Sequence, residues 1–530
     1  MNPPSVTLPI DEAFRIGVQH QHAGRLAEAE EIYRQVLAQH PRNSDAHHLL
    51  GMVMHQAGKQ EQAEKLIRQA IAIDPTFPQY HNNLGAVLVS SDKLDQATQA
   101  FQTALRLQPD YPDALSNLAM TRRQAGDSAA AVELLKKSLA ISPNVPAIMV
   151  NLAASLNDLL RCEESIEVCK AVLRIDPRNT EIALNYGIAL RLLERHEEAM
   201  NVYEGALRLR PDYLDAHWNL AHIQLSLGDF RRGWKSYEWR LKRKGWSGHP
   251  RFGQPRWTGE ELGGKRILLH AEQGIGDCIQ FLRYVPMVAQ RGGRIIVACH
   301  KPLVRLLTGQ LGIEEVWPEY DKIGQFDHYC ALMSLPMVFD TVVETIPRNV
   351  PYLSCDSELA ARWKEKLGDR HGEFRVGIVW AGRPEHNHDR WRSLRLEQFA
   401  PLASVKGVRF FSLQKGMAAA QARTPPPAMD LVDWTEDLHD FADTAALLAQ
   451  MDLVIAVDTA VAHLAGAMGK PVWVLLPRVA DWRWMLDRSE TPWYPTMRLF
   501  RQEQHGNWQP VLRQVGEELQ RLVSAFPLNS

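Results

Sequence analysis

From Ile10 to Gly245 the apolar positions recur at helical spacing, in short blocks separated by polar turns. The blocks repeat: Pro41, Pro75, Pro109, Pro143, Pro177 and Pro211 each stand 34 residues after the last. A period of this length belongs to helix–turn–helix units, none of which can bury its apolar face alone, so the units must stack. Counting from Ile10, position eight is Gly17, Gly51, Gly85, Ala119, Ala153, Gly187 and Ala221, and position twenty is Ala29, Ala63, Ala97, Ala131, Ser165, Ala199 and Gly233. Small residues at both places let paired helices cross closely, where a larger side chain would hold them apart. Position seven (Ile16, Leu50, Leu84, Leu118, Leu152, Tyr186, Leu220) is an apolar wedge beside each crossing. The proline falls where the second helix ends. Six full units are expected. A seventh begins at Leu214, has Gly245 in place of the proline, and carries the aromatic, basic stretch FRRGWKSYEWRLKRK, suited to cap the stack or join it to the next domain.

After residue 262 the period changes. KRILLHAEQ, RIIVACH, EFRVGIVWAG, VRFFSLQKG, MDLVIAVD and PVWVLLP are short apolar runs with helical stretches between them. Alternating strands and helices imply parallel sheets covered on both faces, with ligands outside the carboxyl ends of the strands. The expected divisions are a tail (1–9), the repeat region (10–245), a linker (246–262) made ordered by Trp246, Phe252 and Trp257, and two α/β domains (263–370 and 371–530) closed by an amphipathic helix near 511–525. All 15 tryptophans lie from Trp218 onward, which agrees with the change of pattern.

Composition narrows the function. With 45% apolar and 23% charged residues the chain resembles ordinary globular proteins, and a formal charge of -2 gives no support for nucleic acid or an anionic membrane as partner. MNPPSVTLPI has no basic or apolar signal region, and no apolar run is long enough to span a bilayer. The six cysteines show no CxxC or metal spacing and read as free thiols of a reducing cytosol, so a cytoplasmic location is expected. His386 and His388 with Asp389 lack a third well-spaced ligand, so no metal centre is expected.

Two segments carry chemistry. AEQGIGDCIQFLRY follows a strand and opens a helix, but Ile279 stands where a dinucleotide fingerprint needs its third glycine, and RIIVACH ends without an acid for a ribose. What remains is Gly274 and Gly276, which bring backbone close to a ligand, and Asp277 at the helix start. A helix dipole keeps a carboxylate there ionised, able to take a proton from an attacking hydroxyl; alternatively Asp277 only caps its helix. Glu272 is the rival base. In MDLVIAVDTAVAHLAGAMGKPVWVLLP a strand ends at Asp458, Thr459 is an N-cap and His463 lies in the first helical turn. Free N–H groups there suit phosphate, so the three residues would gather around a diphosphate and its sugar, or else merely cap. Gln414 and Lys415 lie at another strand's carboxyl end, within reach of a nucleotide; Lys415 would neutralise a leaving phosphate or sit in a solvated turn. Position six of five successive units is Asn (Asn83, Asn117, Asn151, Asn185, Asn219), either a ladder pairing with an extended peptide's backbone or support for its own repeat.

These motifs carry a resemblance. Residues 10–245 resemble the tetratricopeptide (TPR) repeat family. Residues 263–510 resemble heptosyltransferase-like glycosyltransferases of family 9, which have the GT-B fold, particularly bacterial members fused to TPR arrays. The resemblance implies an N-terminal TPR α-solenoid followed by a GT-B pair of Rossmann-like α/β domains, the first facing the acceptor and the second binding the donor. It implies Asp277 as catalytic base, with Asp458, Thr459 and His463 on the donor's diphosphate and sugar. It also implies a basic phosphate contact near the start of the second domain, assigned to Arg392 with Arg390 and Arg383 as rivals; the family's lysine is absent there. Trp482 and Trp484 fall in a long loop near the sugar nucleotide, or pack a core. The implied chemistry is inverting and metal-independent, with no cofactor beyond a nucleotide-sugar donor. The function expected is transfer of a sugar from a nucleotide diphosphate to a protein Ser or Thr hydroxyl, the acceptor (by resemblance flagellin or another surface protein) held in the TPR groove. A homo-oligomer is compatible with TPR surfaces. The alternatives are a TPR scaffold with a catalytically silent nucleotide-sugar-binding domain, or transfer to a non-protein glycan.

Overall fold

The computed structural model describes residues 9–243, 252–319, 324–370, 372–384 and 389–525. The chain divides into two units, Met1–Tyr213 and Leu214–Ser530.

The first unit is a many-helix TPR solenoid of six antiparallel pairs: Ile10–His22 with Leu26–Gln39, Ser44–Gln56 with Gln60–Ile73, Pro78–Ser90 with Leu94–Leu107, Pro112–Gln124 with Ser128–Ile141, Pro146–Asp158 with Cys162–Ile175, and Thr180–Leu192 with His196–Leu209. Position eight meets position twenty-four of the same unit. A Cβ placed on Gly85 would lie 2.4 Å from Phe101 Cε1, and one on Gly187 2.3 Å from Tyr203 Cε1. Gly17 and Gly51 are closed in the same way by Tyr33 and Ile67. Where the sequence has Ala119 and Ala153 instead, position twenty-four holds the smaller Leu135 and Cys169. The bulkiest partners, Tyr33, Phe101 and Tyr203, thus all face glycine, as close packing demands.

The seventh pair, Leu214–Ser226 and Phe230–Tyr237, belongs to the second unit, whereas the period alone grouped it with the repeats through 245. Trp234 packs edge-on against Trp482 at 5.3 Å and Trp493 at 6.5 Å between ring centres, and its Nε1 donates to Thr341 O at 2.9 Å. Of the expected linker, 246–251 lie outside the described residues. From Phe252 onward the segment is packed: Phe252 meets Phe326 at 5.2 Å, and Trp257 is fully buried.

Two parallel sheets complete this unit. The first contains β1 (Arg266–His270), β2 (Arg294–Cys299), β3 (Ile313–Pro318) and β4 (His328–Ala331), in the order β3-β2-β1-β4. The second contains β5 (Phe374–Val379), β6 (Val408–Ser412), β7 (Leu431–Val432), β8 (Leu453–Val457), β9 (Val472–Leu476) and β10 (Met497–Arg501), in the order β10-β9-β8-β5-β6-β7. Every pair of neighbouring strands is parallel. β3, β4, β7 and β10 were not among the strands read from the sequence. β3 is interrupted by exposed Glu314 and Glu315 and β7 is only two residues long, so neither shows an apolar run of strand length. The stretch after β1 expected as one helix is broken into Ile275–Phe281, a 3₁₀ turn Leu282–Tyr284 and Val285–Gln290. Pro286, lacking an N–H, is accommodated at the start of the last piece. In the first sheet β1 leads to β2 on one side and the chain returns from β3 to β4 on the other; in the second, β5 leads to β6 and β8 to β9 in opposite directions. Such switch points are where open α/β sheets leave a crevice at the strands' carboxyl ends.

Candidate active site

Both chemical motifs sit at these switch points. Gly274 is the N-cap of the Ile275–Phe281 helix after β1, and Asp277 is its third residue. Asp277 Oδ2 accepts from the Gly274 N–H at 2.8 Å, so the side chain closes the helix start as well as facing outward. Its other oxygen forms an ion pair with Arg483, which lies beyond β9 of the second sheet. The Asp277 side chain remains 21% exposed.

The Ile275–Phe281 helix packs against the Ala460–Ala467 helix that follows β8. A Cβ on Gly276 would lie 2.9 Å from His463 Cδ2 and 3.4 Å from Ala460 Cα. The glycine expected to admit a ligand therefore admits the other sheet's helix, and Asp277 is carried to the edge of the Asp458–His463 loop.

At that loop Thr459 occupies the N-cap, yet its hydroxyl donates to Val457 O at 3.2 Å and no side chain caps the helix. Ala462 and His463 donate their amides to Thr459 O. His463 Nε2 is 3.8 Å from Asp458 Oδ1, and Nδ1 is 3.0 Å from the Tyr494 hydroxyl. The ring stacks on Trp484 at 5.4 Å. Burial first, then the nearby Arg483, lowers the His463 pKa to about 3, so the imidazole is neutral and serves as a hydrogen-bonding group rather than a cation. Burial, reinforced by Asp481, raises Asp458, with Arg392 opposing. Arg392 Nη1 donates to Asp458 O at 2.9 Å and Nε to Asp389 Oδ1 at 3.2 Å, which fixes the guanidinium beside the loop. Of its rivals, Arg390 lies over Trp391 and Arg383 is exposed.

Glu272, Gln414, Lys415 and Trp482 are each engaged by other parts of the protein. Glu272 has a fully buried side chain held by Arg240 at 2.7 Å, and Arg240 also binds Ser334 and Glu238. Walled in by that pair, Glu272 is closed to an acceptor hydroxyl. Gln414 Oε1 accepts from the amides of Trp380 and Ala381, at 3.1 and 2.8 Å, and Nε2 donates to the carbonyls of Ala381 and Lys415, at 3.0 and 2.9 Å. A carboxamide so saturated shapes the turn after β5 instead of binding a nucleotide. Lys415 Nζ donates to Thr435 O at 2.6 Å, the turn role. Trp482 is fully buried among Trp234, Tyr237 and Trp493, a core residue behind the site.

The asparagine row also has internal partners. Asn83 Nδ2 lies 2.7 Å from His48 Nε2, Asn117 Nδ2 donates to Asn82 Oδ1 at 2.9 Å, and Asn185 Nδ2 to Val150 O at 3.3 Å, each reaching 35 residues back to the preceding repeat. Asn219 Nδ2 bonds Asp215 O at 2.8 Å in its own helix. One amide hydrogen of each of these four is committed within the stack. Asn151 contributes its backbone carbonyl to Ser155.

Sequence reasoning missed Arg483 and Asp481. Their only signal was two charges inside an otherwise aromatic loop, DWRW. His386 and His388 lie outside the described residues, and among the described residues no three His, Cys, Asp or Glu side chains gather as a metal site. All six cysteines are free, and no described helix is long and apolar enough to cross a membrane.

Known proteins resemble both halves of the chain. Residues 21–86, 78–144 and 187–228 match tetratricopeptide-repeat families, and 438–476, which contain Asp458, Thr459 and His463, match glycosyltransferase family 9 (heptosyltransferase). The chain thus carries TPR repeats in its N-terminal region and, in its C-terminal region, a segment that matches glycosyltransferase family 9. Protein FlbA of Caulobacter vibrioides is 29% identical over 330 residues, covering 58% of this chain and 55% of FlbA. The match thus spans about half the length of that relative. Among solved structures, PilF of Pseudomonas aeruginosa (22% identity, TM-score 0.36) covers 39% of this chain and 95% of its own. A tetratricopeptide repeat protein from Parabacteroides merdae (16% identity, TM-score 0.38) covers 43% and 91%.

Proposed function

We propose that this TPR–family 9 chain is a glycosyltransferase that moves a sugar from a nucleotide-diphosphate donor to a hydroxyl of a protein acceptor, Ser or Thr, with the TPR repeats engaging that acceptor. The observation that supports it most is the meeting of the two switch-point loops: Asp277 from the first sheet stands at the edge of the Asp458–His463 loop of the second. In this reading Asp277 takes the acceptor's proton as its oxygen attacks the anomeric carbon. The first-turn amides after Thr459, with Arg392 alongside and neutral His463 as a hydrogen-bond donor, stabilise charge building on the departing diphosphate. Base and leaving group then lie on opposite sides of the sugar, so a single displacement inverts the anomeric centre. Amides, a helix start and a guanidinium supply the electrostatics in this scheme, which calls for no metal.

The decisive experiment is Asp277→Asn in the full chain, assayed for nucleotide release from a panel of UDP-, GDP-, CDP- and ADP-sugars. Asparagine keeps the size and can still accept from Gly274, but it lacks the basicity. Loss of a general base lowers turnover by about 10²–10⁴-fold, with nucleoside diphosphate affinity kept. Near-normal turnover with donor bound would remove Asp277 from the role.

One observation favours a second reading. Both Asp277 oxygens are engaged, by Gly274 and by Arg483, as in a nucleotide-sugar-binding scaffold whose carboxylate is structural. Binding of donors from the same panel without any nucleotide release would select that reading.

A further inference from the structure

The residue that ties the two sheets together at this site belongs to neither motif. Arg483 is 7% exposed, and its donors are distributed among three partners. Nε donates to Gln280 Oε1 at 2.6 Å, Nη1 to Asp481 Oδ1 at 2.8 Å, and Nη2 pairs with Asp277. Its guanidinium lies 4.4 Å from the centre of the Trp482 ring and 5.9 Å from that of Phe281. Asp481 also accepts from the Arg483 amide at 3.1 Å, so the short turn bearing the arginine is clamped by the carboxylate it pairs with.

We propose that Arg483 is a positioning residue for Asp277. This rests on the reading of Asp277 as the proton acceptor. The geometry argues for positioning over phosphate binding. Each of the guanidinium's three nitrogens already serves a protein acceptor, which uses three of its five N–H donors, and aromatic rings flank it, so its orientation is set by the protein. Asp481, on the same turn, holds the cation before Asp277 and Gln280 of the other sheet's helix meet it. Asp277, held on one side by Gly274 and on the other by Arg483, has a fixed rotamer and one remaining edge toward solvent. The carboxylate is supplied by the first sheet and its cation by the second, 206 residues later in the chain. The acceptor of the proton is therefore assembled only when the two sheets stand in this arrangement. The reaction needs such coupling, because a carboxylate displaced by about 1 Å loses on the order of 10²-fold in rate.

The test uses full-length Arg483→Gln, Arg483→Lys, Asp277→Asn and the double variant Asp277→Asn/Arg483→Gln. Three readouts apply: nucleotide release on the panel above, calorimetric affinity for UDP, GDP, CDP and ADP, and the unfolding midpoint. Arg483→Gln should lower kcat about 10- to 100-fold while donor KM and diphosphate affinity stay within about twofold. Arg483→Lys, which restores the charge, should recover part of the loss. The double variant should be no slower than Asp277→Asn alone, and the unfolding cycle should show the two residues coupled. A roughly tenfold loss of diphosphate affinity in Arg483→Gln would make the residue a phosphate ligand and overturn the proposal. So would additive losses in the double variant, or additivity in unfolding, the latter even if no donor of the panel is turned over. Near-normal turnover of Asp277→Asn defeats the base assignment instead, and it does so with the coupling still measurable.

Discussion

His48 and His463 are buried imidazoles held neutral, and each has a use for that neutrality. His48 lies 2.7 Å from Asn83 Nδ2, the ring nitrogen accepting in a bond between repeats. Burial lowers its pKa to about 4, with Asp45 opposing. Between the unfolded value of 6.5 and that value, the unfolded chain binds a proton that the folded chain refuses. Stability contributed by the neutral ring is therefore full above pH 6.5, falls as pH drops through this window and levels off below 4. The whole effect amounts to about 3 kcal/mol at 1.36 kcal/mol per pKa unit. His463 adds a loss of the same sign that continues to about pH 3. Position five of the next repeat shows how to remove the first contribution: there Asn82 accepts from Asn117 at 2.9 Å. His48→Asn should keep the unfolding temperature at pH 7 within a few degrees and flatten its decline between pH 6.5 and 4, measured on the full chain. An unchanged slope would mean that His48 is not the titrating group. The place of Asp277 in the first turn of its helix was legible at this scale because its glycines and helix start are local. Arg483 was not, because its partners at 277 and 280 lie on another sheet.

Among the helix pairs, the pairing of position eight with position twenty-four sets each crossing. Gly85 faces Phe101, whereas Ala119 stands in the unit that has Leu135. Gly85→Ala drives a methyl into the Phe101 ring, and overpacking of this kind costs about 1–3 kcal/mol. The double change Gly85→Ala/Phe101→Leu copies a pair the chain already uses, so it should regain most of the lost unfolding temperature. Two independent losses would instead show that the crossing distance is set elsewhere. Small residues at position eight were legible as a period, but the matching at position twenty-four emerged only once the helices were paired. The asparagine row teaches the same point. Its spacing was plain in the sequence, yet the reach of Asn83, Asn117 and Asn185 to the preceding repeat depends on how successive pairs stack.

For the molecule as a whole, the instructive boundary is the one at Leu214. The helical period runs past it, but Phe230, Trp234 and Tyr237 belong to the core containing Trp482 and Trp493, and Arg240 neutralises the buried Glu272. A fragment starting at residue 214 keeps these contacts. One starting at residue 246 leaves Glu272 buried without its cation, a change that costs about 3–5 kcal/mol, and exposes the aromatic face as well. The 214–530 fragment should therefore be soluble and unfold in one cooperative step, and the 246–530 fragment should aggregate or unfold without cooperativity. Equal behaviour of the two in calorimetry would count against an integral seventh pair.

The repeat period, the parallel α/β character of the second half and the two loops that carry Asp277 and Asp458–His463 follow from the sequence alone. Each depends on residues within one or two turns of one another, where spacing, capping and glycine content act directly on the backbone. Which polar groups stay available was decided in three dimensions. Glu272 and Gln414, just past strand ends, and Trp482, in the loop after β9, carry the right chemistry, yet a buried arginine, four backbone groups and a cluster of aromatic rings take them out of reach of a ligand. Desolvation and pairing depend on what the rest of the chain brings close. For that reason Arg483, silent in any local pattern, became the partner of Asp277 only when the two sheets met.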